Sequence, residues 1–115
     1  MPAYQHIVCS EPQTDVVVAT FRSKKMFDGE LIADLGEELI SLVEKPRIVL
    51  DFTAVEAMAS AVLNKLLLLQ AELTPRGGRL ALCGLNDVLM QIFTITKLNK
   101  KFKIYADQQA ALASV

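Results

Sequence analysis

Two periods of apolar residues alternate along the chain: short continuous runs of strand length, and longer stretches where apolar positions recur every three or four residues. Residues 6–10 (HIVCS) predict a short edge strand, closed by Glu11-Pro12. Residues 15–22 (DVVVATFR) are β-branched and unbroken, as in a strand buried on both faces, and Ser23-Lys24-Lys25 breaks the run. From 29 to 44, Leu31, Ile32, Leu35, Leu39, Ile40 and Val43 fall at helical spacing, with Glu30, Asp34, Glu37 and Glu38 on the other side. That pattern predicts an amphipathic helix, stopped by Pro46. Residues 47–52 (RIVLDF) are the next strand.

A connection over 53–59 leads to a strongly apolar helix at 61–73, which Pro75 and Gly77-Gly78 end in a turn. Residues 79–83 (RLALC) read as a strand, and 87–96 as a helix with Asn86 as its N-cap. A last strand at 101–105 (KFKIY) precedes a short helix at 108–114 capped by Asp107. The predicted order is β-β-α-β-α-β-α-β-α. Such alternation argues an α/β fold with a mixed, mostly parallel sheet of four or five strands and about four helices. The runs at 15–22, 47–52 and 79–83 belong innermost. No linker or repeat interrupts the chain, so residues 1–115 are expected to form one domain.

Composition narrows the function. Over 115 residues the hydrophobic fraction is 52% and the net charge is -1, so the chain is neither disordered nor basic enough for phosphate-driven nucleic-acid binding. The opening MPAYQH carries no basic region followed by an apolar stretch, and no apolar run exceeds the four residues of Leu66 to Leu69. A cytoplasmic chain with neither a secretory signal nor a membrane insertion is expected. Cys9 and Cys83 each lie in an apolar run and read as small buried core residues, with a disulfide as the alternative. His6 has no acid or cysteine beside it in sequence to begin a metal site, and Gly77-Gly78 follows a helix, as a turn does and a phosphate loop does not. Asp51 ends a strand, but Arg22-Ser23 stands where a metal-binding acidic pair would be needed. With no base in sight to activate a serine, an enzyme is not expected, and no cofactor or metal is. Lys97, Lys100, Lys101 and Lys103 form a basic cluster read as a solvated surface, with docking of an acidic protein as the alternative.

Residues 48–69 (IVLDFTAVEAMASAVLNKLLLL) resemble the central motif of STAS domains, a family that includes bacterial anti-sigma factor antagonists and the cytoplasmic domains of sulfate transporters. Asp51-Phe52-Thr53 stands for that motif's Asp-Leu-Ser, and Met58 for its methionine. The family's Asp falls on Ala59, its phosphorylatable Ser on Ser60, the next Ser on Ala61, and its two glycines on Val62 and Asn64. Residues 76–80 (RGGRL) resemble the family's Gly-Gly turn, and residues 107–112 its C-terminal helix. The segment from Phe93 resembles its Phe-x-x-x-Gly-Leu, with Lys97 in place of the glycine. The family's acidic Gly-Glu-Leu-Asp loop falls on 23–26 (SKKM) and is basic here.

The resemblance implies a regulatory module that binds an anti-sigma factor with serine kinase activity, with Ser60 as the phosphorylation candidate. A scaffold or adaptor without phosphorylation, in a larger signalling or transport assembly, is the alternative. The implied partner surface comprises Ser23, Lys24, Thr53, Ala59, Ser60, Ala61, Val62, Asn64 and Lys65. Read from its position alone, Ser60 is the natural N-cap of the helix at 61–73, a role contributing about 1 kcal/mol and needing no regulation. A phosphate at a helix N-terminus is tolerated electrostatically, so its effect would fall on the partner. Lys65, one turn on, is placed to meet such a phosphate or an acidic partner.

Overall fold

Val16, Val17 and Val18 are consecutive and all buried, which requires cover on both faces of their strand. The computed structural model describes residues 4–115; Met1, Pro2 and Ala3 of the MPAYQH opening lie outside them. Its strands are β1 (Ile7–Gln13), β2 (Val16–Phe21), β3 (Lys25–Met26), β4 (Arg47–Asp51), β5 (Ala57–Met58), β6 (Arg79–Cys83) and β7 (Lys103–Tyr105). The helices are α1 (Gly29–Ile40), α2 (Ala61–Leu73), α3 (Asp87–Ile95) and α4 (Gln108–Ser114). Five strands make one sheet in the order β1-β2-β4-β6-β7, with β1 antiparallel to β2 and every other pair parallel. The three runs expected innermost are the three central strands.

Strand pleating divides the core. Val17, Ala19, Phe21, Ile48, Leu50 and Leu82 pack with the apolar faces of α1, α2 and α3. Val18, Val49, Ala81 and Cys83 face the other way, where the short α4 lays Ala111 over them. Small side chains on that second face let one short helix lie close.

Several boundaries differ from expectation for local reasons. β1 runs through Glu11-Pro12 to Gln13, with a register shift between Ser10 and Gln13. Proline, which has no N–H to donate, is tolerated in a bulged edge strand. α1 ends at Ile40 and tightens into a 3-10 turn over Ser41–Glu44, because Lys45 precedes Pro46 and is extended at φ -88°, ψ 130°. The last strand starts at Lys103 rather than at residue 101. The end of the break at 23–25, with Met26 after it, forms a two-residue parallel ladder with the connection at 53–59, Lys25 with Ala57 and Met26 with Met58.

Cys9 is half-buried on the edge strand rather than in the core, while Cys83 is buried, and both thiols are free. His6 has acid neighbours after all: its Nε2 lies 3.8 Å from Asp34 Oδ2 and 3.8 Å from Glu38 Oε2, and its backbone N–H donates to Glu38 Oε1 at 3.0 Å. The helical turn spacing of α1 places both carboxylates over the start of β1, which the linear sequence does not display. No helix among the described residues is long and apolar enough to cross a membrane.

Candidate functional site

The loops at the C-terminal ends of β2 and β4 are held by main-chain bonds that make them one frame. Glu56 N–H donates to Lys24 O at 2.7 Å, Ala57 N–H to the same carbonyl at 3.2 Å, and Ala59 N–H to Met26 O at 2.9 Å. Below the frame, the rings of Phe21 and Phe52 pack at a 38° tilt with centroids 4.5 Å apart, both buried. Asn86 braces it from the side, its Nδ2 donating to Glu56 O at 3.0 Å while its Oδ1 caps α3 at Leu89 N–H, 2.8 Å.

The buried Asp51 anchors the other end. Its Oδ1 accepts from the N–H of Thr53 at 2.9 Å and from the Thr53 hydroxyl, and its Oδ2 accepts from Gln108 Nε2 of α4 at 2.9 Å. Gly84 at φ +73° passes close above, where a Cβ would stand 2.9 Å from Asp51 Oδ1. Only glycine meets both the left-handed backbone and the close approach. Cys83, beside Asp51 in the sheet, has its thiol pushed up to about 12 by burial and by the nearby charges of Asp51 and Asp107. It is an inert core group. Burial, with Glu38 and Glu11 beside it, raises the Cys9 thiol as well.

Ser60 leaves this frame exposed and starts α2, but it does not cap it. Its backbone is already helical at φ -59°, ψ -22°, and its hydroxyl makes no capping hydrogen bond. A capping side chain reaches the N2 or N3 amide only from an extended residue. Asp28, Asn86 and Asp107, with ψ of 128°, 177° and 174°, are extended, and each caps its helix. The first turn of α2 is closed instead by main-chain carbonyls, Ala59 O to Val62 N–H at 3.1 Å and Ser60 O to Leu63 N–H at 2.9 Å. The expected Ser60 cap is thus absent, and the hydroxyl is presented to solvent.

Comparison with known proteins fits this geometry. The chain matches the STAS domain family over residues 11–111. It belongs to the STAS domain family. An anti-sigma-factor antagonist (STAS) domain protein from Planctomyces limnophilus is similar in structure, with TM-score 0.83 and 18% identity, over 93% of this chain and 96% of that one. An anti-sigma factor antagonist from Mycobacterium paratuberculosis gives TM-score 0.82 and 22% identity, over 95% and 92%. A sulfate transporter family protein from Wolinella succinogenes gives 0.73 and 15%, over 91% and 88%. No curated protein matches the chain in sequence.

In this STAS domain the nine residues expected at a partner surface do not all lie on one exposed face. Ser23, Lys24, Ala59 and Ser60 lie on the frame, and Ala61 and Asn64 extend the exposed surface along α2. Thr53 is exposed at the same pole, but its hydroxyl is committed to Asp51. Val62 is a correction: it is 0% exposed and packs in the core, since residues 62, 66, 69 and 73 form the inner stripe of α2. Lys65 is another. Its methylene stem lies over Gly36 of α1, where an added Cβ would come within 2.7 Å of Lys65 Cδ. Five residues along a helix is also about 140° around it from Ser60, so Lys65 faces α1 and not the serine.

Phe27 also belongs to this surface, although no motif in the sequence marks it. It is 57% exposed, and the peptide joining it to Met26 is the one bonded to Ala59. An aromatic ring therefore leaves the same end of the frame as Ser60. The signal was a lone aromatic just before an acidic cap, Asp28, between a basic stretch and a helix.

Proposed function

We propose that this STAS domain is a regulatory protein-binding module of the anti-sigma factor antagonist kind, whose partner is an anti-sigma factor with serine kinase activity. The observation that carries the reading is the Ser60 hydroxyl, exposed at the mouth of α2 and unused as a cap, on a frame that also carries Phe27, Ala59 and Ala61. Exposed apolar and small side chains around one hydroxyl make a surface that packs against a partner and loses that packing when a charge is added. The basic Arg22, Lys24 and Lys25 beside it favour an acidic rim on the partner. Phosphorylation would be regulatory: Ser60 Oγ takes the γ-phosphoryl group of ATP held by the partner, ADP leaves, and the hydroxyl proton passes to a base of the kinase.

A second reading keeps the docking surface without the phosphorylation, as a scaffold or adaptor. Ala59 favours it, since the acid that precedes the serine in the family's motif is missing here.

The test is recovery of the partner from native lysate, followed by affinity measurements with wild type, Ser60→Ala and Ser60→Asp. Ser60→Ala should bind as wild type does. Ser60→Asp buries a carboxylate against the partner and should lose at least about 2 kcal/mol, roughly 30-fold in Kd. Equal affinities for Ser60→Asp and wild type would refute docking at this serine. Undiminished binding of the partner after its kinase has been supplied with ATP, with no phosphate on Ser60, would favour the scaffold.

A further inference from the structure

β6 starts two residues before the strand beside it. β7 pairs with β6 only from the Ala81–Lys103 pair onward, so Arg79 and Leu80 have β4 on one side and no strand on the other. Arg79 N–H donates to Pro46 O at 2.7 Å, on the β4 side. Successive amides of a strand alternate, so Leu80 N–H points the other way, past the start of β7. In a longer ladder the carbonyl of Lys101 would receive it. That carbonyl accepts from Gln70 Nε2 at 2.8 Å instead, and Leu80 N–H finds no acceptor among the described residues. Leu80 is 7% exposed, and an orphaned buried amide is rare.

Leu80 lines a recess of about 180 Å³ together with Arg79, Lys101 and Lys103, and no Asp or Glu lines it. Among the described residues none of these three cations makes an ion pair. Helices α2 and α4 end beside the recess, and cations commonly serve helix ends. Those ends are already closed. Gln70 O accepts from the Thr74 N–H and hydroxyl, Leu73 O from Gly78 N–H, and Ala111 O from the Ser114 hydroxyl. At the rim, the main-chain oxygen of Val115 accepts from Arg47 Nη1 at 3.4 Å. An amide and the three cations are the donors left over.

We infer that this recess binds a single phosphate-class oxyanion, with Leu80 N–H, Arg79, Lys101 and Lys103 donating to its oxygens. A carboxylate would bring one negative charge to three cations, whereas a phosphate group brings about 1.5 to 2 and more acceptor oxygens. Pockets for whole small molecules start at about 300 Å³, so this one takes the anionic group alone. Free phosphate and the head of a phosphate monoester share that chemistry. The recess lies at the N-terminal ends of the parallel strands, the pole opposite Ser60, and does not rest on the function proposed there.

The experiment is an amide-resolved NMR titration of the whole chain with inorganic phosphate at fixed ionic strength, with sodium chloride as the blank and circular dichroism to show that each variant is folded. The Leu80 amide should shift along a saturating curve with a millimolar Kd. Glycerol phosphate binding equally well assigns the site to the phosphate group itself, and tighter binding assigns it to a monoester. Acetate should bind at least about tenfold more weakly. Arg79→Gln and Lys103→Gln, both at exposed positions, should each weaken phosphate about tenfold. Lys100→Gln, on the same basic segment but outside the recess, should change it less than about twofold. A Leu80 amide that fails to saturate, or moves as far in chloride, overturns the inference. So does acetate that binds as tightly as phosphate, or a loss on Lys100→Gln equal to that on Lys103→Gln, which would leave only the general charge of the surface.

Discussion

Replacing Ser60 with alanine separates two kinds of helix start. If the hydroxyl capped α2, its loss would cost about 1 kcal/mol, within a range of about 0.5–2. The backbone at φ -59°, ψ -22° leaves no capping bond to lose, and it is a conformation that alanine adopts better than serine by up to about 0.5 kcal/mol. The expected change is therefore between zero and about 0.5 kcal/mol of stabilisation. Asn86→Ala is the internal standard, since it deletes both the 2.8 Å cap of α3 and the 3.0 Å bond to Glu56 O. Two such bonds are worth about 2 kcal/mol. Urea unfolding followed by far-ultraviolet circular dichroism reads the difference. With a slope of about 2 kcal/mol/M, Asn86→Ala should lower Cm by about 1 M and Ser60→Ala should leave it within about 0.3 M of wild type, on the high side. A Ser60→Ala midpoint that falls by about 0.5 M or more would refute the reasoning and return the serine to an ordinary cap.

Gly84→Ala should destabilise by about 2–4 kcal/mol, seen as a fall in Tm of about 10 °C, because the methyl adds left-handed strain and displaces the Asp51–Thr53 contact. Lys97→Gly should raise stability by about 0.5–1 kcal/mol in urea unfolding, since lysine there holds φ 62°, a conformation that suits the glycine of the family's motif. In the native protein a thiol reagent should modify Cys9 at least about 100-fold faster than Cys83, with the difference lost in guanidinium. Above the ordinary thiol value of 9.0 the unfolded chain releases the Cys83 proton, while the folded chain keeps it to about 12. The unfolded state then binds fewer protons, so stability should fall as pH rises through that window, by at most about 1.4 kcal/mol per unit. Cys83→Ala should show a shallower fall.

The central strands were legible because 15–22, 47–52 and 79–83 are continuous apolar runs with only one way to be covered. The ladder of β3 and β5 was not, since two residues per strand carry no period to detect. The position of Ser60 follows from the motif, but whether it caps depends on ψ, which is helical here at -22° and is not written in the residue type. Val62 was misplaced because a motif position says nothing of which side of a helix it occupies, whereas the 62-66-69-73 spacing does. Lys65 shows the same lesson across helices: only the packing of α2 on α1 places its stem over Gly36.

The bond from Ala59 to Met26 has a consequence for how information could leave this domain. The segment before Ser60 is stitched to a neighbouring loop, and the segment after it is closed into helix, so little backbone is left to swing. A group attached to Ser60 would rewrite what the surface is made of without altering its outline. On the function proposed above, such a domain would work as a label and not as a lever. A reader protein touching both Phe27 and Ser60 would receive the message by direct contact, and nothing need be relayed through the sheet to its far side.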